Sequence, residues 1–169
     1  MLHIRPVRPG AEEDATGRPF VGKSGKLLDK LLGDIGLNRS DVWIGNVVKH
    51  RPPNNRDPLP AEIMACKPYI TSQIDIIDPL LIVTLGRFAM NYFYPQGKIS
   101  TDRGTLIKPN GRYVFPVYHP SAGFRNGKMM QGLKEDFAKI PECLNKIKLE
   151  IRYRKKLKEL RKRDPFIYK

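Results

Sequence analysis

Cysteine is nearly absent from this chain. Cys66 and Cys143 are the two in 169 residues, too few for a disulfide framework and in keeping with a reducing compartment. Long apolar runs are absent too: nothing approaches the ~18 residues that a membrane span needs. Met1 to Gly10 has neither an apolar h-region nor a small-residue cleavage site. We therefore expect no secretory signal, no membrane partner and a cytoplasmic protein. Two catalytic signatures are missing as well. Gly22-Lys23-Ser24 lacks the earlier glycine of a Walker loop, which argues against a nucleoside-triphosphate site, and no G-x-S-x-G elbow supports a serine hydrolase. No internal repeat is present.

Acid is scarce relative to base. Lys and Arg number 31 against 17 Asp and Glu, a net charge of +14, which favours a polyanionic partner, nucleic acid before a membrane surface. The bland alternative is that the charge merely aids solubility. From Lys146 to Lys169 there are eleven Lys and Arg against three acids, a net of +8, so the remainder still carries +6. Good helix formers and a weak apolar stripe (Ile147, Ile151, Leu157, Leu160) make this segment a basic helix, either lying on DNA or solvated. Hydrophobic content of 40% suits one globular domain with a real core. We divide the chain into a domain over 1–141, with an atypical start over 1–8, and a basic helical tail over 142–169.

Helix and strand patterns alternate along that domain. A short apolar segment at Leu2 to Val7 reads as a strand weakened by Pro6 and the arginines. Ser24 is placed to cap a helix with one apolar face (Leu27, Leu28, Leu31, Leu32, Ile35) and Gly36 past its end. Val42 to Val48, Leu80 to Leu85 and Val114 to Tyr118 read as buried strands. Helices are expected from Ala61 to Ile77 (interrupted at Pro68), from Arg87 to Phe93 and from Gly127 to Ile140. Apolar strands separated by helices imply a parallel sheet covered on both faces, with the ligand site at the strands' carboxyl ends. That rule selects three loops, Pro9 to Gly22, Asn46 to Asn55 and His119 to Asn126.

In the first loop, glycines and prolines around Glu12, Glu13 and Asp14 let backbone approach a planar ligand. Phe20 is placed to stack on a flipped base or, more plainly, to fill core. In the second, Asn46 inside an apolar strand needs partners. Its amide can read a pyrimidine edge or be satisfied by neighbouring backbone. Lys49, Arg51 and Arg56 suit phosphate contacts, or a solvated basic loop. In the third, His119 can stabilise charge on a leaving group. Ser121 can cap or contact a phosphate, and Arg125 adds charge.

Singly these signals are weak; their order and wording resemble the family 4 uracil-DNA glycosylases, the thermostable iron–sulfur type. The matching runs are Pro9-Gly10 through Glu13-Asp14 to Gly17-Arg18-Pro19-Phe20-Val21-Gly22, then Asn46-Val47-Val48-Lys49-His50-Arg51-Pro52-Pro53-Asn54-Asn55-Arg56, then His119-Pro120-Ser121, with Pro79 to Gly86 and Arg103-Gly104 between. The resemblance implies a three-layer α/β/α sandwich with a central, mostly parallel four-stranded sheet. It implies a monomeric, nucleoid-associated repair enzyme that flips uracil out of DNA and hydrolyses its N-glycosidic bond. Carried over by position, Phe20 stacks on uracil, Asn46 binds its edge, Gly10 supplies backbone contacts and His119 stabilises the departing anion. Glu13 organises the water or the site's hydrogen bonds.

Departures from the family pattern set the alternatives. The acidic position before Pro9 is Val7 and the tight glycine is Pro6, so Met1 to Arg8 reads as an altered start. The family's C-x-x-C extension is missing from the sequence given. The family binds a [4Fe-4S] cluster through that pair and two later cysteines; Cys66 stands at one of these and His50 at the other, while Cys143 matches none. Four thiolates are wanted, so we expect no cofactor here. The alternative function is an impaired member that binds DNA without cutting. A glycosylase for another damaged base is a third reading, against which Phe20 and Asn46 favour uracil.

Overall fold

A computed structural model of the chain describes residues 2–5 and 9–163. Pro6, Val7 and Arg8, which belong to the start read from the sequence as atypical, lie outside the described residues, as does the end of the tail from 164 onward.

Four short strands form one sheet: β1 (Leu2–Arg5), β2 (Val42–Ile44), β3 (Leu81–Leu85) and β4 (Val114–Val117). Their spatial order is β2-β1-β3-β4 and every pairing is parallel, with Leu2 beside both Val42 and Leu81, and Val83 beside Phe115. All five residues of β3 and all four of β4 are buried, which is why these strands read as continuous apolar runs rather than alternating ones.

Alternate residues on each strand point to opposite faces and meet two separate apolar layers. On one face Leu2, Ile4, Leu81, Val83, Leu85, Phe115 and Val117 pack against Leu28, Leu31 and Leu32 of α2 (Lys23–Gly33) and Leu133, Phe137, Ile140 and Ile147 of α7 (Gly127–Arg163). On the other, Ile82 and Val114 pack against Ile70 and Ile74 of α3 (Pro60–Ile77) and Ala89 of α4 (Arg87–Phe93). The architecture is the expected three-layer sandwich. Each fully buried Leu, Ile or Phe contributes about 1.5–3 kcal/mol relative to exposure, so both layers are needed to cover the sheet.

Several element boundaries differ from the sequence pattern. Strand β2 stops at Ile44, so Asn46 is not inside a strand: it follows the strand end, in the loop at the sheet's carboxyl edge. Ser24 does not cap α2; the cap is Gly22, without a side-chain hydrogen bond. Helix α3 runs through Pro68, which is exposed. Helix α7 does not end at Ile140. It continues through Pro141 to Arg163, because Ile147 is fully buried and Cys143, Leu144 and Ile151 pack beside it. Those contacts outweigh the one hydrogen bond that a proline removes from a helix interior. Among the described residues, no helix is long and apolar enough to cross a membrane.

Candidate active site

The carboxyl ends of the strands open onto a cavity of about 780 Å³, within the ~300–1,000 Å³ usual for small-ligand sites. Gly10, Glu13, Phe20, His119, Ser121 and Arg125 all line it. Two of the three loops selected from the sequence thus converge on one space.

Its first wall is α1 (Ala11–Thr16) and the turn that follows. Gly10 caps the helix, and a Cβ there would overlap the Glu13 carboxylate. Glu13 is turned back on the loop: its Oε1 accepts hydrogen bonds from the amides of Val21 and Gly22, each at 2.9 Å. Burial pushes the Glu13 carboxyl up, but the amides of Gly22, Glu13 itself, Val21 and Gly10 together hold it below its ordinary value. An anion bonded by several backbone amides is thereby kept ionised. Its visible work is to shape the turn that carries Phe20.

Phe20 is 5% exposed and sits in the left-handed region at φ 57°, uncommon for a bulky residue and a mark of a constrained site. Three contacts hold it there. Glu13 binds the next two amides, the Arg39 guanidinium donates to the Pro19 carbonyl, and the Phe20 carbonyl packs where Gly25 of α2 has no side chain.

The adjoining wall is the end of β4. His119 caps α6 (Pro120–Gly123), and its Nδ1 accepts the backbone N–H of Ser121 at 3.1 Å, with the Ser121 hydroxyl 2.8 Å away. A backbone amide can only donate, so Nδ1 is an acceptor and the proton of the neutral ring is on Nε2. The imidazole and Phe20 rings stand 5.6 Å apart between centroids, tilted at 51°.

Residues that sequence reasoning missed come from the end of β3. Gly86 has φ 87°, and a Cβ on it would lie 3.2 Å from the His119 Cβ, so this glycine makes room for the histidine. Arg87 and Phe88 join the wall, and Arg87 pairs with Asp57 at 2.8 Å. The signal was available, because Gly86 ends a buried strand and the carboxyl-end rule applies to β3 as much as to its neighbours.

The middle loop is placed differently from the other two. Asn46, Lys49, Arg51 and Arg56 lie outside the described cavity wall. Lys49 is turned inward, donating from Nζ to the Asn46 carbonyl at 3.1 Å and to Gln73 at 2.9 Å, which ties the loop to α3. Arg56 is clamped by Glu62 through two hydrogen bonds of 2.9 and 2.7 Å. The Arg56 side chain, with the Leu59 amide, draws the Glu62 carboxyl down to about 2. Arg51 and Arg125 are exposed, and the Ser121 hydroxyl is engaged with His119.

Comparison with known proteins agrees with this arrangement. Residues 7–148 match the model of the uracil DNA glycosylase superfamily. The chain belongs to this superfamily. Its curated relatives include the type-4 uracil-DNA glycosylases of Saccharolobus solfataricus (45% identical, covering 81% of this chain and 68% of the relative) and Thermotoga maritima (46%; 82% and 74%). That of Pyrobaculum aerophilum is 55% identical over 77% of this chain and 71% of its own length. It is a type-4 member by these matches, and the matched segments span about two thirds to three quarters of the relatives' lengths.

The described residues of this type-4 chain do not fit the iron–sulfur cluster that the resemblance implies. Cys66 Sγ accepts the Lys49 amide at 3.4 Å, beside an exposed His50. Cys143 belongs to the apolar layer on the other side of the sheet, and burial pushes its thiol up. Four thiolates must converge on such a cluster. Among the described residues, no three His, Cys, Asp or Glu side chains are grouped to hold a metal ion.

Proposed function

We propose that this chain excises uracil from DNA by hydrolysing the bond between the base and the deoxyribose. The observation that carries the reading is that Phe20 and His119, with their rings in contact, line one cavity at the sheet's carboxyl edge in a chain of type-4 glycosylase sequence. Uracil rotated out of the duplex enters this cavity and stacks on Phe20. The Nε2–H of His119 is directed at the uracil carbonyl next to the scissile nitrogen, where negative charge develops as the bond breaks. The base leaves with the bonding pair. Water adds its oxygen to the oxocarbenium-like sugar carbon and releases a proton. His119 is the catalytic residue, and Glu13 is a positioning residue for Phe20. Asn46, just past the end of β2 and outside the cavity wall as it stands, is the residue we assign to the edge of the base once uracil is bound, with its backbone carbonyl held by Lys49.

Around this centre, Arg51 and Arg125 contact phosphates, with Ser121, Lys49 and Arg56 acting through the groups they hold. The described part works without a cluster, as a monomer in the cytoplasm, on uracil-containing DNA. The division into a catalytic domain over 1–141 and a basic extension is part of the same reading, with the first turns of the extension built into the core through Ile147. A member that binds DNA without cutting is not favoured, because the curated relatives matching most of the chain carry the glycosylase name.

The test is cleavage of a labelled oligonucleotide carrying one uracil, followed by alkali, with a thymine control. Strand breaks with uracil alone, abolished in His119→Ala and strongly reduced in Asn46→Ala, are the expected result. Intact DNA that remains bound would overturn the reading in favour of a binding shell. Purified protein is expected to be colourless; brown protein with stoichiometric iron and sulfide would refute the cluster-free part.

A further inference from the structure

Helix α7 is a ruler laid across the molecule. It begins at Gly127, just after Ser121 and Arg125 at the cavity. By Glu150 it has reached the other end of β4, where Lys108 binds both Glu150 at 3.2 Å and Tyr113, the residue preceding the strand, at 2.7 Å. The helix then continues from Arg152 to Arg163, about 18 Å at 1.5 Å per residue. This end lies past the sheet edge opposite the cavity. It carries eight Lys and Arg against the single acid Glu159.

The face of α7 that buries Ile147 and half-buries Ile151 becomes Arg154 and Lys158 in the next two turns, the change expected when a helix leaves its core. On the far side Leu149 and Tyr153 are 62% and 67% exposed, in line with Leu157 and Leu160. That apolar stripe is one residue wide and flanked by cations on both sides. A helix lying in a membrane surface needs a broad apolar face, and a second copy would bring a like charge against this one. Lys and Arg over the rest of the helix surface, with the exposed Tyr153 able to stack, suit nucleic acid.

We propose that Arg152 to Arg163 binds a second segment of DNA, separate from the one whose base occupies the cavity, so that one protein molecule holds two segments at opposite ends. The inference takes from the proposed function only that DNA is the substrate. Two sites on opposite edges give a means of passing from one segment to another without complete release.

The experiment compares the wild-type chain with a variant carrying Lys155→Gln, Lys156→Gln, Lys158→Gln and Lys162→Gln. Glutamine is a good helix former, so equal helicity by circular dichroism checks the fold. Capture of a labelled, uracil-free duplex by protein already bound to an immobilised duplex is measured against salt. The wild type is expected to bridge the two. The variant should lose bridging at least ~10-fold, with the slope of log affinity against log salt smaller by about 3–4. Cleavage of a short duplex of ~10 base pairs, one helical turn, with a single uracil is expected to stay within about two-fold, since no phosphate there reaches the helix end. Undiminished bridging by the variant would overturn the proposal. So would a parallel loss of short-duplex cleavage, or wild-type binding to phosphatidylserine vesicles but not to DNA. If neither protein cleaves, the glycosylase reading fails while the bridging assay still decides this one.

Discussion

The carbonyl group of Phe20 occupies the space that a Cβ on Gly25 would need. Gly25 lies in the first turn of α2 and Phe20 in the strained turn before it, so this contact sets how deeply the aromatic ring enters the cavity. In an ordinary helix position Gly→Ala would stabilise by about 1 kcal/mol. Here the new methyl meets backbone, which cannot rotate away, and overpacking of that kind costs about 1–3 kcal/mol. Gly25→Ala is expected to lower the melting temperature by several degrees, about 2–4 °C per kcal/mol for a chain of this size. It should also raise KM for uracil-containing DNA, because Phe20 must shift. A variant as stable and as active as the wild type would show that the turn is free to move.

Glu13 makes a prediction about acid. Its carboxyl is held below the usual value of 4.5 despite partial burial, because backbone amides outweigh that burial. The unfolded chain therefore binds this proton more tightly than the folded one. The stabilisation is complete above about pH 4.5 and is lost as the pH falls through the lower folded value. Glu13→Gln keeps an acceptor for Val21 and Gly22 but has no such titration. Its stability deficit at neutral pH is expected to shrink in acid, as measured by denaturant unfolding across the range. Glu13→Ala leaves both amides without their acceptor and is expected to cost about 1–3 kcal/mol more broadly, with cleavage lost through the displaced Phe20.

How much of this was legible in the sequence depended on the range of the interactions. Strands β3 and β4 were visible because burial on both faces leaves an uninterrupted apolar run. Phe20, His119 and Glu13 could be singled out by loop position, since the carboxyl-end rule is topological. What could not be read was the direction of each polar side chain. Lys49 and Arg56 look like phosphate ligands in a basic loop, yet each has an internal partner, Gln73 and Glu62, brought near by folding. The sequence pattern puts Asn46 inside a strand because Val47 and Val48 are apolar. They are buried, but against α3 rather than within the sheet. The sequence pattern ends α7 at Ile140 because a proline follows, whereas the anchoring by Ile147 that carries the helix on is a tertiary effect.

The His119–Ser121 contact fixes a tautomer, and this can be measured without substrate. The Ser121 amide donates to Nδ1, so the neutral ring carries its proton on Nε2, the nitrogen that the proposed mechanism turns toward the leaving base. Nitrogen-15 spectra at neutral pH are expected to show Nδ1 of His119 as the unprotonated ring nitrogen; finding the proton there would remove the proposed donor. Ser121→Ala deletes the hydroxyl but keeps the amide, so it should cost only about 1 kcal/mol, roughly five-fold in kcat. His119→Ala removes the donor itself and should cost about 10²–10³-fold, as for other groups that stabilise a developing anion. The ordering of the two variants is the discriminating result. A loss at Ser121 as large as that at His119 would mean that the hydroxyl, not the backbone amide, holds the ring in place.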